Sequence, residues 1–272
     1  MISVERYLDR IGHRGALIAT EDTLASLHAA HSEAIPFENL DIHLGKALSS
    51  DIAALFAKMV LHRRGGYCFE QNGLFAAMLE RIGFKVRPVL GRTTFGAKAP
   101  RPRGHLLSLV ETGGRTWIAD VGFGGHGLLE PVPFEMGRSH RAGGETYRVI
   151  ASGNRGLELE MQTPDGWVSL YWFDEMPCYP VDVDVMNFYH SHSMDSFFYN
   201  NRVVASARRD RRLMLTNNEM KIVRGGDVEI RLIEDEATYL RVLLDDFDIE
   251  LPPDAHAELR PHPSIGPASQ VA

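Results

Sequence analysis

The spacing of apolar residues changes near Phe84, and that change divides the chain into parts with different folds. Before it the period is helical. Val4, Tyr7, Leu8 and Ile11 fall on one face, and Thr20 is placed to cap a second helix through Leu24, Leu27 and His31. A third run begins after Ser49-Ser50 and carries Ile52, Leu55, Phe56, Met59 and Val60 as far as Gly65-Gly66. A fourth starts at Cys68. Ile35–Leu40 reads as a proline-marked connection between helices. After Phe84 come short β-rich runs: 85–90, 105–111, 116–121, 147–151, 157–162 and 167–173, with Gly113-Gly114, Gly153-Asn154 and Pro164-Asp165-Gly166 supplying turns. Short strands at this spacing predict a small barrel or sandwich. A helix is expected from Pro180 to about Ser193. Strands follow from Val203 to Ile233, turning at Asn217-Asn218 and Gly225-Gly226, and a last helix is expected across Ala237, Leu240, Leu243 and Leu244. The tail 261–272, rich in Pro, Ser and Gly, is expected to be poorly ordered.

A formal net charge of -7 argues against a nucleic-acid binder, which needs a dominant basic surface. No apolar run approaches the ~18 residues of a membrane span, and the first residues, MISVERYLDR, lack the apolar centre of a signal peptide. Two cysteines make no disulfide framework. These readings lead to the expectation of a cytoplasmic protein with no membrane or nucleic-acid partner, in which a thiol is free to work.

Cys68 is the thiol placed for chemistry. Phe75, Met78, Leu79 and Ile82 continue a helical face beyond it, and Gly83 stands where a C-cap belongs. Cys68 therefore sits at a helix N-terminus, where unpaired N–H groups and the helix dipole favour negative charge, and so the reactive thiolate. A lone cysteine is more often a small packed hydrophobe; the glycine pair before Cys68 and the basic Arg63-Arg64 favour the functional reading. Cys178, between Pro177 and Tyr179, reads as packed.

A thiolate nucleophile works with a base, and the base with a group that orients it. Twelve histidines compete for the role. With a two-residue turn at Gly113-Gly114, Leu107 opposes Asp120 and His105 opposes Gly122. Side chains alternate faces, so His105 and Asp120 share one and become diagonal neighbours ~7–8 Å apart at the backbone. A three-residue turn would place them on opposite faces. On the hairpin alone, Asp120 is equally a turn-forming residue before Gly122 and His105 a plain strand start. Cys68 tips the balance toward Cys–His–Asp, because triads are defined by roles and not by chain order.

The loop Gly122–Gly127 follows Asp120 directly and offers backbone N–H groups for phosphates or a tight acyl pocket; no Gly-Lys-Ser/Thr follows, so it is not a P-loop. Phe123, Gly124 and Gly125, with Gly104 at the strand start, are the candidate ligand contacts, and the loop is also a candidate second oxyanion donor beside the Cys68 N–H. Glu38 and Arg64 are read as an ion pair that fixes the Cys68 loop. His190-Ser191-His192 brings two histidines together, but no carboxylate or cysteine cluster at ligand spacing accompanies them, and no metal is expected.

Taken together, Ile35–Leu40, Arg64–Asn72, Gly104-His105, Asp120–Gly124 and Asn187…Ser191…Ser193…Ser196-Phe197 resemble the arylamine N-acetyltransferases, and in particular the shorter bacterial members. The resemblance covers most of the chain; Met194 departs from it, where the family commonly has proline. It implies an α+β fold: an N-terminal helical bundle (1–83), a central antiparallel β-barrel (84–193) and a C-terminal α/β lid (194–272), with a cysteine-protease-like triad. It also implies acetyl-CoA as donor and arylamines, arylhydrazines or N-hydroxyarylamines as acceptors. Cys68 would be the acyl-accepting nucleophile, His105 the base and Asp120 its orienter. Amide synthases and other acyl transferases or thioesterases on the same triad remain open on these motifs.

Overall fold

The computed structural model describes residues 2–153 and 156–251. Ser3, Thr20 and Asp51 each accept a backbone N–H at a helix start, opening α1 (Val4–Ile11), α2 (Glu21–Ala34) and α4 (Ile52–Phe56), with the short α3 (Leu40–His43) between the last two. The cap of α4 is Asp51, directly after the serine pair. Its chain continues into a π-helical turn (Ala57–Leu61) that a 3.6-residue period does not reveal. Helix α5 (Cys68–Ile82) ends at Gly83 in the left-handed region. Tyr7, Leu24, Leu27, Phe56, Leu74, Phe75 and Met78 are all buried between these helices. Each such side chain contributes roughly 1.5–3 kcal/mol by leaving water.

Eight antiparallel strands make the central sheet: β2 (Lys85–Thr93), β3 (His105–Thr112), β4 (Arg115–Ala119), β5 (Val132–Pro133), β6 (Ser139–Ala142), β7 (Glu145–Ser152), β8 (Gly156–Thr163) and β9 (Gly166–Pro177). Their order is β5-β4-β3-β2-β9-β8-β7-β6. The sheet curls until its edge strands β5 and β6 touch, forming a near-barrel. Strands β5 and β6 carry no apolar alternation, and sequence patterning did not find them. Inside lie Val89, Leu107, Leu109, Tyr147, Val149, Leu159 and Phe173. Strand β3 is buried on both faces: Leu107 and Leu109 point into the barrel, while Val110 packs with the helices. That double burial joins the helical part to the barrel.

The second sheet runs β1-β10-β11-β12-β13, built from β10 (Val203–Ala207), β11 (Arg212–Thr216), β12 (Glu219–Arg224) and β13 (Asp227–Leu232), with β1 (Phe37–Glu38) pairing on β10. The proline-marked connection therefore contains a strand that ties the N-terminal part to the C-terminal sheet. Helix α8 (Glu236–Phe247) packs Tyr239, Leu243 and Phe247 against Val204, Leu213 and Ile222. Helices α6 (Pro180–His192) and α7 (Phe197–Asn200) lie between the two sheets in sequence. The tail 261–272 and the Asn154 position of one expected turn lie outside the described residues. No helix among the described residues is long and apolar enough to cross a membrane.

Candidate active site

Cys68 is the first residue of α5 and 3% exposed. The chain reaches it along a path fixed by the backbone: Gly66 donates to Pro36 O at 3.3 Å and accepts from Glu38 N at 3.0 Å. Tyr67 N then donates to Glu70 Oε2 at 3.0 Å, so the first turn of α5 caps its own entry. Beneath this turn lies a buried charge cluster. Arg64 donates through Nε and Nη2 to Glu38 Oε1 at 3.0 and 2.8 Å, and Nη2 also reaches Asp41 Oδ1 at 3.0 Å. Lys58 Nζ lies 2.8 Å from both Asp41 Oδ2 and Glu70 Oε1. Burial pushes the Glu70 carboxyl up despite the pull of Lys58. For Asp41 burial pushes the same way, but Lys58 and Arg64 outweigh it and its pKa is lowered. The Glu38–Arg64 pairing read from sequence is present and belongs to this larger network.

His105 and Asp120 meet through the hairpin. Gly113 and Gly114 take φ of 61° and 73°, the left-handed conformation that a two-residue turn needs, and Ser108 pairs with Ala119 in the anticipated register. Strand β4 stops at Ala119, one residue before Asp120. Across the shared face His105 Nε2 lies 2.7 Å from Asp120 Oδ2, with both residues fully buried. Burial alone would lower the His105 pKa, but the charge of Asp120 and its hydrogen bond, together with Cys68, raise it to about 10. Burial raises Asp120, and the charge of His105 with hydrogen bonds from His105, Asn72 and Gly122 outweighs it, leaving that carboxyl lowered. Cys68 lines the same cavity as His105, and its thiol donates to Gly104 O at 3.6 Å; with Nε2 committed to Asp120, Nδ1 is the ring nitrogen left over.

Two residues that hold this arrangement escaped sequence reasoning. Asn72, one turn beyond Cys68, donates from Nδ2 to Asp120 Oδ1 at 2.8 Å and to Leu106 O at 2.6 Å, while its Oδ1 accepts from Val121 N. His28 accepts the Asp120 N–H at 3.1 Å. The available signals were the four-residue spacing from Cys68 to Asn72 and a histidine next to the apolar stripe of α2. Gly122 donates its N–H to Asp120 Oδ1 at 3.0 Å, which removes it as the loop's oxyanion donor. It must be glycine for another reason: a Cβ there would lie 2.9 Å from Cys68 Cα.

These groups open on a cavity of about 510 Å³. Cys68, His105, Phe123, Gly124, Gly125 and Gly104 all line it, together with the rings of Phe197 and Phe198. A larger groove of about 790 Å³ lies along the charged cluster of Asp41, Lys58, Arg64 and Glu70, and neither Cys68 nor His105 lines it. We place the candidate site in the smaller cavity, where the thiol and imidazole are. Cys178 is outside it, and burial with the nearby Asp182 pushes its thiol up to about 12. His190 and His192 part company: His190 is buried beside Tyr67 and Phe198, whereas His192 is exposed and stacked on Phe188 at 4.4 Å. Among the described residues no group of three or more His, Cys, Asp or Glu side chains is placed to hold a metal ion.

The sequence profile of the N-acetyltransferase family matches residues 20–256. The arylamine N-acetyltransferase of Escherichia coli K12 is 36% identical over 249 residues, covering 90% of this chain and 88% of that protein. A Salmonella typhimurium protein named arylamine N-acetyltransferase / N-hydroxyarylamine O-acetyltransferase is 39% identical over 71% of this chain and 68% of its own length. In three dimensions the chain resembles the Mycobacterium marinum arylamine N-acetyltransferase in complex with CoA, with a TM-score of 0.89 at 34% identity, covering 95% and 97% of the two chains. Likeness on this scale, in sequence across nine-tenths of the chain and in fold across nearly all of it, settles the matter of kinship: this protein belongs to the arylamine N-acetyltransferase family of acyl-transferring enzymes.

Proposed function

We propose that the protein transfers an acetyl group from acetyl-CoA to the nitrogen of arylamines, arylhydrazines or N-hydroxyarylamines by double displacement through Cys68. The observation that carries this reading is that Cys68 and His105, the latter bonded to Asp120, line one cavity. With its proton resting on His105, the Cys68 sulfur attacks the thioester carbonyl carbon. The oxyanion forms near the Cys68 backbone N–H, an end-of-helix donor. Collapse breaks the bond to the CoA sulfur, which leaves with the His105 proton, and acetyl-Cys68 remains. The amine then attacks the same carbon, gives a proton to His105, and expels the Cys68 sulfur. Asp120 holds the imidazole in orientation and stabilises its charged form throughout. Phe123, Phe197 and Phe198 offer faces for an aromatic acceptor, and Arg101 and Lys221 on the same wall offer positive charge for CoA phosphates. Free thiols at Cys68 and Cys178 support a reducing, cytoplasmic setting.

Incubation with acetyl-CoA alone, followed by rapid quenching and peptide mass analysis, should add one acetyl group to the Cys68 peptide. An arylamine should discharge it as N-acetylarylamine, with parallel initial-rate lines. Intersecting lines with no acetyl-Cys68 at any quench time would replace the double displacement with a ternary complex. Discharge by water as fast as by amine would make the enzyme a thioesterase.

A further inference from the structure

Two residues of α6, one helical turn apart, each grip the residue immediately before a member of the Cys68–His105 pair. Asn187 Oδ1 accepts the hydroxyl of Tyr67, which precedes Cys68. His190 Nε2 lies 3.4 Å from the carbonyl oxygen of Gly104, which precedes His105. The contact is close enough to dictate the residue: a Cβ on Gly104 would stand 2.8 Å from His190 Nε2. That same Gly104 oxygen is the acceptor for Cys68 Sγ at 3.6 Å.

The shared oxygen poses an electrostatic problem for the reaction proposed above. A thiol tolerates a carbonyl oxygen because it donates to it. Once its proton moves to His105, a negative sulfur faces the negative end of the Gly104 dipole. An N–H donated to that oxygen from its other side reduces the repulsion and holds the Gly104–His105 backbone in place. His190 is built to make such a donation. A carbonyl only accepts, so Nε2 must carry the hydrogen. Nδ1 then accepts from the Ser196 hydroxyl 3.1 Å away, and Ser196 is itself 1% exposed. Tyr67, Phe69, Tyr189 and Phe198 surround the ring. Burial among them pulls the His190 pKa down to about 4 and keeps it neutral.

We infer that His190 is a positioning residue for the nucleophile: its Nε2–H, oriented by Ser196, engages the Gly104 carbonyl and so makes room for negative charge on Cys68 Sγ. The inference rests on Cys68 being the nucleophile, but its test needs neither acetyl-CoA nor an amine. The rate constant for alkylation of Cys68 by iodoacetamide at pH 7 is compared in the wild type, His190→Leu and His190→Gln. Leucine keeps the apolar packing and loses the donor; the glutamine amide restores an N–H near the Nε2 position. Loss of one hydrogen bond in a buried site predicts about a tenfold slower reaction for the leucine variant, and recovery of most of the rate with glutamine. Equal rates for wild type and His190→Leu would overturn the inference, and so would a glutamine variant as slow as leucine. If the leucine variant does not fold, nitrogen NMR of the unsubstituted protein decides: His190 must be neutral at pH 7 with its proton on Nε2. A proton on Nδ1, alone or with one on Nε2, refutes the role. If alkylation behaves as expected and no acetyl-Cys68 forms, the positioning role stands and the acetyl-transfer reading fails.

Discussion

Asn72 anchors Asp120 to the helix that carries Cys68, donating to its Oδ1 at 2.8 Å from one turn beyond the cysteine. The placement of Cys68 relative to the His105–Asp120 pair is therefore referenced to a single helix. Asn72→Ala should leave a folded protein whose Cys68 acetylation is roughly 10- to 100-fold slower, since a hydrogen bond to a charged group is worth about 1.5–3 kcal/mol. Asn72→Asp should be slower still, because it sets a second carboxylate against Asp120. Rapid-quench mass analysis of acetyl-Cys68 makes the measurement, and an unchanged rate in the alanine variant would show that Asp120 needs no such anchor.

Replacing Asp120 by asparagine removes the charge that keeps His105 protonated. Equivalent loss in a Ser-His-Asp triad costs about 10⁴ in kcat. A fall in acetylation approaching that size is expected here. Circular dichroism confirms that the variant folds before its rate is read. Near-normal acetylation by a folded Asp120→Asn would separate the two residues functionally.

Stability should fall on the acid side well before the carboxylates titrate. His28, His31 and His190 are buried, and burial lowers their pKa values to about 4, 3 and 4. Below the unfolded value of ~6.5 the unfolded chain binds protons that the folded chain refuses, so stability drops with falling pH. Each histidine contributes up to ~1.4 kcal/mol per pH unit between ~6.5 and its folded value. His105 has the opposite sign: its raised pKa adds stability that is complete below ~6.5 and lost as pH climbs through about 10. Urea midpoints measured from pH 4 to 7 should rise with pH, and a flat profile would contradict neutral burial of the three histidines.

Glu38 is fully buried, and its carboxylate answers both Arg64 and the N–H of Leu40. Breaking such a pair by removing one partner costs about 3–5 kcal/mol, because the other charge stays behind unmatched. Glu38→Gln should lower the urea midpoint accordingly with little change in slope. Cys68 alkylation should become slower, and so less selective over Cys178, as its turn loosens. A shift below about 1 kcal/mol would mean that Asp41 and Lys58 absorb the loss.

Local chemistry written along the chain accounts for the elements and one decisive register. Thr20, Gly83 and the apolar spacing set the helices, and Gly113-Gly114 admits the two-residue turn that puts His105 and Asp120 on one face. These follow from residues within a few positions of each other, where backbone geometry leaves few choices. Contacts across elements were decided by packing. Strand β3, buried on both faces, brings α5 against the hairpin so that Cys68 and His105, 37 positions apart in the chain, line one cavity. The same packing brings Asn72 and His28 to Asp120 and His190 to Gly104, none of which any period announces. The two-residue β1 has no pattern of its own and exists because β10 offers it an edge. Apolar periodicity records which face of an element is buried. What that face meets depends on how the side chains of separate elements interlock, and only the folded chain fixes that.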